Sequence, residues 1–155
     1  MFYIVIVFIV FLLDQITKYF AVMNLKFVNS KVIIKNFLEF TYVENRGAAF
    51  GIMQGRKIFF VLITLAAIGY ILFFLFKKSS KLSFMTKLAL SLILSGALGN
   101  FFDRLRLSYV VDFISLRFWG LYDFPVFNIA DIAIVVGGAL LLILGIFLGE
   151  FNDES

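Results

Sequence analysis

Four long apolar runs dominate the chain, and the polar residues between them fall into two kinds of segment. The first run holds thirteen apolar residues without a break, residues 1–13, and its apolar character resumes as far as Met23. At about 1.5 Å per helical residue, 23 residues reach roughly 34 Å, enough to cross a bilayer. The second lies between Arg56-Lys57 and Lys77-Lys78, with Thr64 and Tyr70 as its polar side chains. The third interleaves Leu with Ser and Gly, and the fourth is almost wholly aliphatic. The pattern predicts membrane helices over about 2–23, 58–76, 84–104 and 129–148. The first run lacks a basic leader and a small-x-small site after it, so a cleaved signal peptide fits it poorly.

Two connecting stretches read differently. Residues 31–43, KVIIKNFLEFTYV, are β-branched and aromatic and partly alternate. Residues 108–127 hold a turn signal at Trp119-Gly120 and the chain's single Pro, Pro125. Both predict short strands at the membrane surface, where Trp and Tyr are favoured. The expected fold is an all-α polytopic membrane protein in one domain, four transmembrane helices with a small surface sheet. The segments outside the helices are about 24–57 and 105–128 on one side and a loop at about 77–83 on the other.

Composition agrees. Of 155 residues, 63% are hydrophobic and 15% charged, with 22 Phe. A soluble domain this small has too much surface to hide them. There is no Cys and no His. Thiol chemistry, Cys-type metal sites and Ser-His or Cys-His hydrolysis are therefore excluded. A net charge of +4 is modest and brings no nucleic-acid motif, so nucleic acid is not an expected partner. Orientation has two readings. The short loop between the second and third spans carries Lys77, Lys78, Lys81 and Lys87, and by density belongs in the cytoplasm. The raw count of basic residues favours the opposite arrangement. We adopt the density reading, which puts both termini in the cytoplasm.

Counting spans places Asp14, the Asn45 segment, Asn100-Asp103-Arg104, Asp112 and Asn128-Asp131 at one membrane face, whichever face that is. Charges at membrane depth cost roughly 2.5–3.5 kcal/mol each on insertion scales, and convergence of several points to a site. Asn100, Asp103 and Arg104 share one helix face, as do Asn128 and Asp131, and Asp14, Thr17 and Lys18 repeat the spacing. Plainer roles are expected for some of these: Lys18 snorkelling to headgroups, Asp14 as an interhelical contact, and close helix packing at Gly96, Gly99, Gly137, Gly138, Gly145 and Gly149. Tyr122-Asp123 reads as interfacial loop. Two carboxylates facing one water share a proton and can hydrolyse a peptide bond without His, Cys, Ser or metal. Asp112, on an extended segment, and Asp131, opening a helix, form the best pair.

These residues resemble the lipoprotein signal peptidase family. DQITK (14–18), ENRGAAFG (44–51), SGALGNFFDR (95–104), VVDF (110–113) and FNIAD (127–131) resemble its motifs, in order, over nearly the whole chain. The resemblance implies an aspartic intramembrane endopeptidase, free of metal and cofactor. It would cut diacylglyceryl-modified prolipoproteins just before the lipidated Cys, as a monomer in contact with membrane lipid. It implies Asp112 and Asp131 as the dyad, and Asn100, Arg104 and Asn128 supporting it and binding substrate backbone. Asn45 would touch substrate, while Asp14 and Asp103 would be structural. It also implies a β-cradle on the outer face of the bacterial inner membrane. Ser95 departs mildly from the family's usual Gly. Three rivals remain: a presenilin-like protease, which lacks its Gly-x-Gly-Asp here; a proton- or ion-coupled transporter or channel subunit using membrane aspartates as a relay; and a structural subunit, which would leave the motif order unexplained.

Overall fold

The computed structural model describes residues 2–28, 30–47, 56–118 and 122–147. Four helices account for the apolar runs: α1 (Phe2–Leu25), α2 (Lys57–Lys77), α3 (Phe84–Leu107) and α4 (Ile129–Phe147). The shortest has 19 residues, about 28 Å of rise and close to a hydrocarbon core. Their outer faces are lipid-compatible, with Phe8, Ile9, Leu62, Ile63, Leu142 and Ile146 exposed. Helix α3 runs three residues past the expected end because Ser108 supplies a left-handed cap, φ 72°, whose N–H bonds the Arg104 carbonyl at 3.1 Å. Its start is fixed by Ser83, whose hydroxyl accepts from the Thr86 N–H at 3.0 Å.

Helix α3 is the hub and packs on α1, α2 and α4. Small residues make this possible. A Cβ added at Gly96 would meet the Ala130 carbonyl oxygen of α4, and one at Gly99 would meet the Asp14 carboxylate of α1. One at Gly137 would lie 2.7 Å from the Ala89 carbonyl oxygen. The expectation of close packing holds at these three and fails at Gly138, where an added Cβ meets nothing within 4 Å. Gly99→Ala is therefore expected to destabilise by about 1–3 kcal/mol through overpacking against a carboxylate that cannot give way. Gly138→Ala is expected to be neutral or stabilising by up to about 1 kcal/mol through helix propensity. Thermal unfolding in one detergent compares the two, and equal melting temperatures would refute the packing argument.

The strand-like segments form one small sheet, β1 (Lys31–Ile34), β2 (Leu38–Asn45), β3 (Val110–Phe118) and β4 (Tyr122–Asp123), in sequence order and antiparallel. Asn36 turns the first hairpin at φ 60°, a conformation Asn tolerates. The expected turn at Trp119-Gly120, part of the ENRGAAFG segment and the last residue of the fourth expected span lie outside the described residues. Tyr122-Asp123 is an exposed two-residue strand rather than loop.

The sheet sits on the ends of the bundle. Ala21 and Leu25 of α1 form a core with Val111 and Phe113 of β3, joined by Phe40, Tyr42, Leu107 and Ile129. At the opposite end Phe2 stacks on Phe84, ring centroids 4.6 Å apart, and Tyr3 meets Phe76. The lysine-rich α2–α3 connection is at that far end. All the expected site residues are thus at the sheet end, as span counting required.

Candidate active site

Two local devices bring the polar residues together. The first is a bridge between β3 and the residue before Asn128. Phe113 and Ile114 N–H groups both bond the Phe127 carbonyl, at 3.1 and 2.8 Å, and the Phe127 N–H returns to Ile114 at 3.0 Å. The start of α4 is thereby fastened beside Asp112. The second is a bulge in β2. Phe40 pairs with Ile114, but Val43 pairs with Asp112 and Asn45 with Val110, so β2 carries one extra residue in between. Side chains alternate faces along a strand, and the extra residue switches which ones face Asp112. Without it Glu44 would oppose Val110; with it Asn45 shares the face of Asp112. The Asn45 amide then donates to Asp112 Oδ2 at 2.9 Å.

Asn128 is where the two aspartates meet. It precedes α4, and Asp131 stands three residues on, in the geometry of a capping box. The Asp131 N–H donates to Asn128 Oδ1 at 3.0 Å, and the Asn128 N–H donates to Asp131 Oδ2 at 3.2 Å. The other end of the Asn128 amide, Nδ2, donates to Asp112 Oδ1 at 2.6 Å. Asn100 completes the arrangement, with Nδ2 donating to Asp131 Oδ1 at 2.7 Å and Oδ1 accepting from Asn128 Nδ2 at 3.2 Å. Asp131 lies in the first turn of its helix, where the positive end favours an anion.

Asp112 is only 1% exposed. Burial pushes its carboxyl up to about 7, and the neighbouring Asp131 adds to the rise. The amides of Asn45 and Asn128, and the Lys18 ammonium, oppose it. The pair therefore has unlike environments, one carboxyl dry and the other at a helix start. On the opposite face of β2, Arg46 lies 3.0 Å from Glu44 and holds its carboxyl below the usual range.

The remaining expected residues fall as follows. Arg104 donates to the Gly47 carbonyl at 3.2 Å and lies over the Phe60 ring at 5.1 Å, joining α3 to both ends of the β2–α2 connection. Asn45 has both amide ends engaged, since its Oδ1 also accepts from the Gly47 N–H at 3.0 Å. Its side chain thus ties Asp112 to the start of the β2–α2 connection. Asp14 reaches across to α4, where Oδ1 accepts from the Ala130 N–H at 2.9 Å. Asp103 accepts from the Val111 N–H at 3.1 Å and so holds the start of β3. Asp14 and Asp103 thus each bond one of the two elements that bear Asp131 and Asp112.

One expectation is overturned. Lys18 does not snorkel: it is 3% exposed, and its Nζ lies 2.9 Å from Asp14, 3.0 Å from Asp103 and 3.0 Å from Asn100 Oδ1. Drawing the ammonium away to the headgroups would leave two buried carboxylates without their cation. Gln15 was not anticipated either; its amide bonds Asp14 and Asp103 at 3.0 and 3.2 Å. The signal for Lys18 was present, an Asp four residues before a Lys on a helix.

Fold and site define a polytopic membrane protein with two amide-bridged aspartates at one end of its bundle. The signal peptidase (SPase) II family matches residues 6–147. The lipoprotein signal peptidase of Clostridium tetani (strain Massachusetts / E88) is 44% identical over 152 residues, 98% of this chain and 97% of that protein. That of Halothermothrix orenii is 46% identical over 139 residues, 90% and 91% of the two chains. A solved chain described as "Bacterial membrane enzyme structure by the in meso method at 2.3 A resolution" superposes with a TM-score of 0.86 at 38% identity, covering 99% of this chain and 91% of that one. The chain belongs to the signal peptidase II family, which are membrane proteases. Membership gives no support to the transporter alternative or to the presenilin-like one.

Proposed function

We propose that this signal peptidase II removes signal peptides from prolipoproteins by cutting just before a diacylglyceryl-modified Cys, with Asp112 and Asp131 as its proton-sharing dyad. The observation that carries the reading is the meeting of both carboxylates on Asn128, with one dry and the other at a helix start. Asp112 holds the shared proton and Asp131 is the ionised base. Asp131 takes a proton from water as the water oxygen bonds to the scissile carbonyl carbon, and Asp112 gives its proton to the carbonyl oxygen. The tetrahedral intermediate then collapses: the C–N bond breaks, the proton on Asp131 passes to the leaving amine, and one hydroxyl of the intermediate returns its proton to Asp112 as the new carbonyl forms. Asn45, Asn100 and Asn128 hold the carboxylates in place, and Arg104 supports the edge of the cleft and meets the substrate backbone.

The site is at the extracytoplasmic face of the bacterial inner membrane, under the sheet, with the termini and the lysine-bearing α2–α3 connection in the cytoplasm. A substrate with two acyl chains in lipid would present its Cys at that depth. The enzyme works as a monomer in contact with membrane lipid.

The test is cleavage by purified protein of a signal-sequence peptide bearing a diacylglyceryl-Cys, beside the same peptide without lipid, over a pH series. Cleavage before the Cys is expected for the lipidated peptide, and equal cleavage of both would overturn the substrate assignment. The carboxyl of Asp112 is raised, so it is protonated below about 7 and ionised above. Loss of that proton removes the acid, so kcat is expected to fall about tenfold per pH unit above pH 7. A flat alkaline limb to pH 9 would contradict Asp112 as the proton holder.

A further inference from the structure

Lys18 is a buried ionisable group for which the dyad reading has no use. Its three ammonium protons point at three acceptors on two helices: Asp14 Oδ2 of α1, and Asp103 Oδ2 and Asn100 Oδ1 of α3. A helix-to-helix tie would be complete with the two carboxylates. The third contact falls on Asn100, the one side chain among the described residues that donates to Asp131.

A carboxamide has two ends of nearly equal size and opposite polarity. Asn100 assists Asp131 only when Nδ2 faces it. Lysine has no acceptor, so Lys18 can meet only the oxygen end. Asn128 Nδ2 addresses that same oxygen. Asp131 cannot hold the amide unaided, because in the proposed reaction it alternates between carboxylate and carboxylic acid. As the acid it can donate, and would accept either end of Asn100. Lys18 takes no part in that proton exchange and is shielded from water.

We propose that Lys18 is a positioning residue that acts through Asn100, locking the amide so that Nδ2 is presented to Asp131 through the whole reaction cycle. The proposal rests on the dyad reading. It makes Lys18, Asn100 and Asp131 a polar relay from α1 through α3 to α4, three elements that no single sequence motif spans.

The experiment compares Lys18→Met, Asn100→Ala and the double variant in full-length protein, with the lipidated peptide. Lys18→Met is expected to lower kcat about 10–100-fold, the usual cost of removing a group that orients a reacting one, with KM little changed. Acting through Asn100, it should add little once Asn100 is Ala, whereas full additivity would overturn the proposal. A second readout is the alkaline limb. Asp112 is faced by Lys18 from α1, Arg104 from α3 and Asp131 from α4, with Asn45 and Asn128 as neutral donors. Removing the Lys18 cation should move that limb to higher pH, a change that loss of a structural tie alone would not produce.

Should Lys18→Met fail to fold with Asp14 and Asp103 left facing each other, Lys18→Met/Asp103→Asn removes one anion with the cation. Asn at 103 can still accept from the Val111 N–H. Parental kcat and pH profile in a folded Lys18 variant would overturn the proposal. Asp112→Asn and Asp131→Asn are run alongside: activity in either sinks the dyad, while inactive aspartate variants with a fully active Lys18→Met sink only the positioning role.

Discussion

Asp112→Asn and Asp131→Asn are each expected to lower kcat by about 10⁴-fold, the upper range for loss of a positioned acid or base, in protein that still folds. Each exchange keeps size and removes the proton chemistry. The two differ in stability. Burial raises the Asp112 carboxyl from an ordinary 3.8 to about 7. The folded state therefore binds that proton more tightly than the unfolded state. Stability from Asp112 is full below about pH 4 and is lost as pH rises through 7. Asparagine has no such loss. The melting temperature of Asp112→Asn relative to the parent should rise between about pH 4 and pH 8, even though one of the two donors on Asp112, from Asn45 or Asn128, then lacks an acceptor. Activity above about 1% in either variant would remove the dyad assignment. It would turn attention to Asp103, held by Lys18 and Val111, or to Asp123, exposed on β4 beside Arg117.

What the sequence made legible follows from the range of the forces involved. Apolar runs and their charged boundaries report a solvent, lipid, that acts on every residue alike, so the four spans were readable to within a few positions. Helix spacing put Asn100 with Asp103 and Asn128 with Asp131 because i, i+3 geometry is local. The surface strands were readable from β-branched and aromatic content. The bulge in β2 was not: it depends on how Phe40 and Val43 meet β3, a pairing between residues 67 or more positions apart in the case of Asn45 and Asp112. Lys18 was misread for the same reason. On α1 alone, a lysine five residues after thirteen apolar ones has headgroups as its nearest polar neighbours. Only packing against α3 supplies Asp103 and Asn100. Gly137 and Gly138 make the point most simply, since adjacent residues of one type differ wholly in what they face.

Asp14→Ala is expected to be the most destabilising single change among the site residues, by about 3–5 kcal/mol, the range for breaking one side of a buried ion pair. Asp14 is fully buried. Its Oδ1 takes the Ala130 N–H, one of the donors that a helix start leaves without an internal partner. Its Oδ2 pairs with Lys18 and accepts from Gln15 at 3.0 Å. Truncation strands the N–H in a dry site and removes an anion from Lys18. The change reaches the reaction through the first turn of α4, which bears Asp131 at the next position after Ala130. Asp14→Asn should recover much of the loss, because its Oδ1 can still cap Ala130. Melting temperature and activity per folded molecule separate the effects. Asp14→Ala should lose both, and Asp14→Asn should lie between it and the parent in both. A parental melting temperature for Asp14→Ala would mean that α4 is seated by the Asn128–Asp131 box and the Phe127 bridge without help from α1.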